Sequence, residues 1–213
     1  MTLIIAVAQQ KGGAGKTTLA ANMAAAFVAH TPVALIDIDP QRSLARWHAI
    51  RTARPGSTRP ITLSDVAAWR IPAALDQLRA DHEVILIDSP PQIDTDARLA
   101  IRAADIVLVP VQPSPPDIWA AEDTLKLAAS ERRVAALVLN RAPTASRLRD
   151  AVEHDIAKRG LPMLNQALGN RAAYAAAFAE GLGVTECAAR STAAQELLAL
   201  HAEVMATAAT RRR

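Results

Sequence analysis

The chain has 213 residues, 51% of them apolar and 21% charged, with a formal net charge of +3. This suits one α/β domain and excludes disorder as the main state, and the Ala, Leu, Val and Ile bias with 3% aromatics excludes collagen-like, mucin-like and disulfide-scaffold classes. The single cysteine, Cys187, cannot close an internal disulfide, and no run approaches the ~18–20 apolar residues of a membrane span, so a soluble cytoplasmic protein is expected.

Short aliphatic runs alternate with Ala-rich helical stretches. The first run, Leu3–Ala8, is too short and lacks the basic flank needed for a signal peptide, and reads as a strand. Further strands are predicted at Val33–Ile38, Val84–Asp88, Ile106–Val111 and Val134–Asn140, with a weaker candidate at Ile61–Ser64. Helices are predicted at 17–30, 42–51, 71–81, 95–103, 117–131 and 145–159. Near-continuous apolar strands suit burial on both faces of a parallel sheet, so the fold class is α/β, a doubly wound, mostly parallel sheet flanked by helices. Thr52–Pro60 reads as a surface connection rather than a boundary, so residues 1–213 are taken as one domain.

Ligands of open α/β sheets sit beyond the carboxyl ends of the strands. After the first strand comes Gln10-Lys11-Gly12-Gly13-Ala14-Gly15-Lys16-Thr17-Thr18, then a helix. Glycines let backbone N–H groups turn around phosphate oxygens, and the helix N-terminus favours negative charge. Lys16 then reaches the β- and γ-phosphates, and the Thr17 hydroxyl ligates Mg²⁺. Gly13, Gly15 and Asp37 partly mimic a dinucleotide fingerprint, but Thr18 replaces its third glycine and that reading leaves Lys16 and Thr17 idle. Downstream, the second strand ends Asp37-Ile38-Asp39-Pro40-Gln41; two carboxylates there are costly unless they meet a cation or a polarised water. Val84-Ile85-Leu86-Ile87-Asp88 is an apolar strand closed by an acid, which suits an Asp88 that binds Mg²⁺ through water.

The loop lacks the glycine that the generic phosphate-binding motif has at position 10 and carries a second lysine instead. The pattern K-G-G-x-G-K-T-T resembles the deviant Walker A motif of the ParA/MinD family of P-loop ATPases, and Asp37-Ile38-Asp39-Pro40-Gln41 resembles that family's switch I sequence. The resemblance implies that Lys11 reaches across an ATP-dependent homodimer to the partner's nucleotide, as an arginine finger does. It implies that Asp39 orients the attacking water, that Asp37 supports the Mg²⁺ shell, and that Asn140 pairs with the adenine edge. Pro110–Asp117 resembles the proline-rich stretch beside the base in short, ParF-like members, which places Pro113 at the nucleotide. Gly12, Gly13, Ala14, Gly15, Lys16, Thr17 and Thr18 would cradle ATP.

Charge is uneven along the chain. Residues 1–125 carry 11 basic and 13 acidic side chains; residues 126–213 carry 13 and 8, ending in Arg211–Arg213. Of the 24 basic residues, 20 are Arg, a side chain suited to phosphates, although Arg usage on a solvated surface explains the count as well. With the P-loop starting at residue 9, no N-terminal helix-turn-helix is expected, so the chain resembles the short ParA type. That type implies non-specific DNA binding, association with the nucleoid, and a ParB-like or other adaptor that names the cargo. Arg147, Lys158, Arg159, Arg171 and Arg190 are candidate phosphate contacts. A MinD-like membrane helix around Leu197–Met205 is the runner-up; its polar face holds Glu196 and Glu203 rather than lysines, so a packed helix is expected. A metabolic ligase of the dethiobiotin-synthetase type is the third reading.

Overall fold

The computed structural model describes residues 2–56, 58–92, 95–143 and 146–210. The arginine run 211–213, residue 57 of the expected connection, residues 93 and 94, and the first residue of the helix expected from 145 lie outside these. Six strands, β1 (Leu3–Val7), β2 (Val33–Asp37), β3 (Thr62–Asp65), β4 (Val84–Asp88), β5 (Ile106–Val111) and β6 (Val134–Leu139), form one sheet in the order β3-β2-β4-β1-β5-β6. Every pairing is parallel.

Strand side chains alternate between two cores because the side-chain period is two. Leu3, Ile5 and Val7 of β1 face one side, packed with α1 (Lys16–Val28), α2 (Ser43–Ala53), α7 (Ala172–Ala179), α8 (Val184–Cys187) and α9 (Thr192–Thr210). Ile4 and Ala6 face the other, under α3 (Ile71–Leu78), α4 (Thr95–Ala103), α5 (Pro115–Ser130) and α6 (Arg147–Lys158). With both faces covered, β1, β2 and β4 are buried at every position. The edge strand β3 carries exposed Thr62 and Asp65, and this polarity is why its sequence signal was weak.

The C-terminal third holds three helices that the alternation rule did not delimit. In α9, Leu197, Leu200 and Val204 are fully buried, and the His201 ring lies 4.3 Å from that of Phe27 on α1. Among the described residues, no helix is long and apolar enough to cross a membrane.

Candidate nucleotide site

β1 hands the chain to α1 through Gln9–Gly15. Gly13 and Gly15 take positive φ angles of 80° and 92°, conformations that side-chain-bearing residues rarely adopt. Gly15 is the N-cap of α1 and brings no side chain, so the first amides of the helix stay open to an anion. A methyl group on Gly15 would also lie 2.5 Å from the Asn140 amide nitrogen. That amide donates to the Ala14 carbonyl at 2.8 Å, while its oxygen accepts the Arg141 N–H at 2.9 Å. Asn140 therefore pins the phosphate-binding loop to the end of β6.

Register brings the acids to the same place. Asp88 is level with Val7 on one side and Asp37 on the other, so the carboxyl ends of β1, β2 and β4 share one level. Asp88 is fully buried, and among the described residues neither carboxylate oxygen has a hydrogen-bond donor in bonding geometry. Burial pushes its carboxyl up to about 8; the neighbouring Thr17 hydroxyl, near but outside hydrogen-bonding geometry, favours the ionised form, and Asp37 opposes it. A buried carboxylate without donors is a costly feature that a cation would relieve, and the Thr17 hydroxyl beside it is a second hard oxygen donor. The chemistry of this pair fits Mg²⁺.

Asp37 is differently employed. Its oxygens accept the Asp39 N–H at 3.0 Å and the Ala45 N–H at 2.9 Å, which shapes the turn and caps the start of α2. Burial raises its pKa, and those two bonds hold it back. Asp39 is buried as well, its Oδ1 accepting the Gln41 N–H at 2.9 Å. Lys16 is buried; the loss of water lowers its pKa, against the attraction of Asp88 and Asp39.

Two adjoining cavities open here. One of about 330 Å³ is lined by Gly12, Gly13, Lys16, Thr17, Asp39 and Gln41 among others. The second, of about 420 Å³, is lined by Thr18, Asn22, Asn140, Arg171 and Tyr174 among others. Gly15, Thr18 and Arg141 belong to both. The first matches a polyphosphate in chemistry and the second a base with its sugar. Pro113 lines neither. Its segment instead folds over the front of the loop, where Gln112 Nε2 donates to the Gly13 carbonyl at 3.1 Å and Asp117 takes the Lys11 ammonium.

The candidate polyanion contacts divide. Arg159 pairs with Glu122 and Asp155, and Arg171 with Glu196 at the rim of the larger cavity, so both spend their charge within the chain. Arg147, Lys158 and Arg190 are exposed. Among the residues at the site that the sequence reading gave no role are Asp117 and Arg141. Asp117 was visible only as the end of a proline-rich run, although Ser-Pro-Pro-Asp is a helix-start signature; Arg141 was visible only as the neighbour of Asn140.

Known proteins of similar sequence agree with this geometry. Maintenance of carboxysome distribution protein A of Halothiobacillus neapolitanus is 34% identical over 199 residues, spanning 90% of this chain and 91% of that one. Protein ParA of Rhizobium radiobacter is 31% identical over 188 residues, 84% of this chain and 83% of that one. The solved ATP complex of Cyanothece McdA superposes with a TM-score of 0.82 over 95% of this chain and 96% of that one; at 17% identity this attests the fold. Residues 5–184 match the family described as the CobQ/CobB/MinD/ParA nucleotide binding domain. With the phosphate-binding loop, the strand-end acids and all but the first two residues of the parallel sheet inside that span, the chain belongs to the CobQ/CobB/MinD/ParA nucleotide-binding family.

Proposed function

We propose that this chain is a Mg²⁺-dependent ATPase that positions or partitions a cargo. It closes on ATP as a homodimer, binds DNA without sequence preference, and hydrolyses slowly until a partner stimulates it. The observation that carries the reading is the cavity that buried Lys16, Thr17 and buried Asp39 line beside the uncapped α1 N-terminus, with Asp88 buried at the end of the adjacent strand β4.

Each residue has a task. The open amides of α1 and the Lys16 ammonium bind phosphate oxygens. Thr17 and Asp88 hold the metal ion, which when bound offsets the charge of the β- and γ-phosphates. Asp39, fixed by Gln41 and by the turn that Asp37 builds, orients the attacking water. Asn140 and the larger cavity receive the base, and Lys11 enters the partner's site in trans. Cargo is set by an adaptor chain. The name of the Halothiobacillus relative supports a large protein assembly as cargo. The full-span relatives favour positioning over a synthetase reaction. The membrane-surface reading is disfavoured because Leu197, Leu200 and Val204 of α9 already face the core. A cytoplasmic, nucleoid-associated location follows from the DNA reading.

The test is Asp39→Ala with ATP and Mg²⁺. This variant should bind ATP, sediment as a dimer, retain DNA fragments of any sequence at low salt, and turn over at least tenfold more slowly than wild type, a barrier increase of about 1.4 kcal/mol. An ATP-bound monomer with wild-type turnover would remove the proposal. A dimer that ignores DNA but sediments with anionic vesicles would replace its DNA arm with a membrane.

A further inference from the structure

The proline-rich segment that runs into α5 binds no nucleotide in the reading above, yet its Asp117 is the most enclosed carboxylate outside the strand-end acids among the described residues. Asp117 has a side chain only 2% exposed, and it receives the ammonium of Lys11, whose side chain is 45% exposed. Ser114 Oγ donates to the same carboxylate at 3.1 Å and the Gln112 N–H at 3.1 Å. Asp117 also sits in the first turn of α5, where the helix N-terminus favours negative charge. Its shell is thus complete without the lysine: two donors and a helix end remain if Lys11 leaves.

The lysine is held more loosely. Nearly half of its surface meets solvent, so water can compete for the ammonium and replace the pair. Gly12 and Gly13 follow it directly, and open space surrounds the position of a side chain on Gly13, so the loop has room to swing.

We propose that Asp117 is a latch in cis: it parks Lys11 against its own chain until nucleotide is bound, and hands it over when the phosphates of a partner's ATP compete for the ammonium. The proposal rests on the reading of Lys11 as a cation that acts in trans. The latch sets how much protein is needed before ATP drives assembly, because dimerisation must first break this pair.

The experiment measures the ATP-dependent monomer–dimer midpoint by analytical ultracentrifugation for wild type, Asp117→Asn and Lys11→Ala. The asparagine keeps one oxygen for the Gln112 N–H and turns an NH2 towards the Ser114 hydroxyl, which can accept from it, but loses the charge that holds Lys11, so the midpoint should fall by about threefold or more. A midpoint that is unchanged or raised overturns the latch. Lys11→Ala separates the two layers of the argument: failure to dimerise upholds the trans role, whereas wild-type dimerisation overturns that role and the latch with it. If Asp117→Asn does not fold, the Lys11 side-chain ammonium resonance of the wild-type protein decides. It should shift between the nucleotide-free and ATP-bound states; one unchanged environment in both overturns the hand-over.

Discussion

Asp88 shows how a single buried acid carries both a cost and a function. Burial holds the proton on its folded carboxyl up to about pH 8, while the unfolded chain releases it at the ordinary carboxylate value of 3.8. Unfolding therefore releases a proton across that window, and raising the pH favours unfolding until about pH 8. For the metal-free protein, this group alone should lower stability steadily as the pH rises from 6 towards 8. Urea titrations of wild type and Asp88→Asn at pH 6, 7 and 8 check it: wild type should lose stability relative to the variant as pH rises, and parallel pH profiles would contradict it. The identity of Asp88 was legible because an acid closing an apolar strand is conspicuous. The distinct duties of Asp37 and Asp39 were not, since both stand in one strand-end motif and only the turn geometry commits Asp37 to backbone amides.

Among the elements, α2 is the one whose placement matters most to the site, because it starts at the turn that holds Asp39. Its far end is anchored by Arg51, which is buried and bonds Glu186 through both terminal nitrogens at 2.7 and 2.8 Å. Trp47 on the same helix donates to the Leu182 carbonyl at 3.2 Å, and Gly181 packs directly on the Arg51 backbone. Asn22 of α1 accepts the Val184 N–H at 2.9 Å, so the 181–186 segment links the helix after the phosphate loop to the helix after the acid turn. Glu186→Ala would leave the guanidinium buried without its anion, at a cost of about 3 kcal/mol. Chemical denaturation measures this, and a loss below the surface-pair range of about 1 kcal/mol would show that the link is not holding α2. Strand positions were readable to within a residue because two-sided burial leaves continuous apolar runs. Helices α7 and α8 were not, and α9 was read only around Leu197–Met205, because Ala-rich stretches carry little periodicity and their partners lie far away in sequence.

At the scale of the molecule, the strand order is what makes a site from scattered motifs. The chain lays β4 between β2 and β1, so loops separated by dozens of residues open at one end of one sheet. The charge surplus of the C-terminal half, by contrast, was a poor guide to a surface. Glu153, Asp155 and Glu196 take up Arg149, Arg159 and Arg171 within the fold, which no count of residues reveals. The central claim is that the cavity at the sheet's carboxyl end binds the polyphosphate of a nucleotide through Lys16. Calorimetric titration of ATP with Mg²⁺ into wild type and Lys16→Ala tests it most directly. The account predicts saturable binding to wild type and an affinity at least tenfold lower in the variant, equivalent to about 1.4 kcal/mol. Equal affinity in a variant that folds like wild type would contradict it.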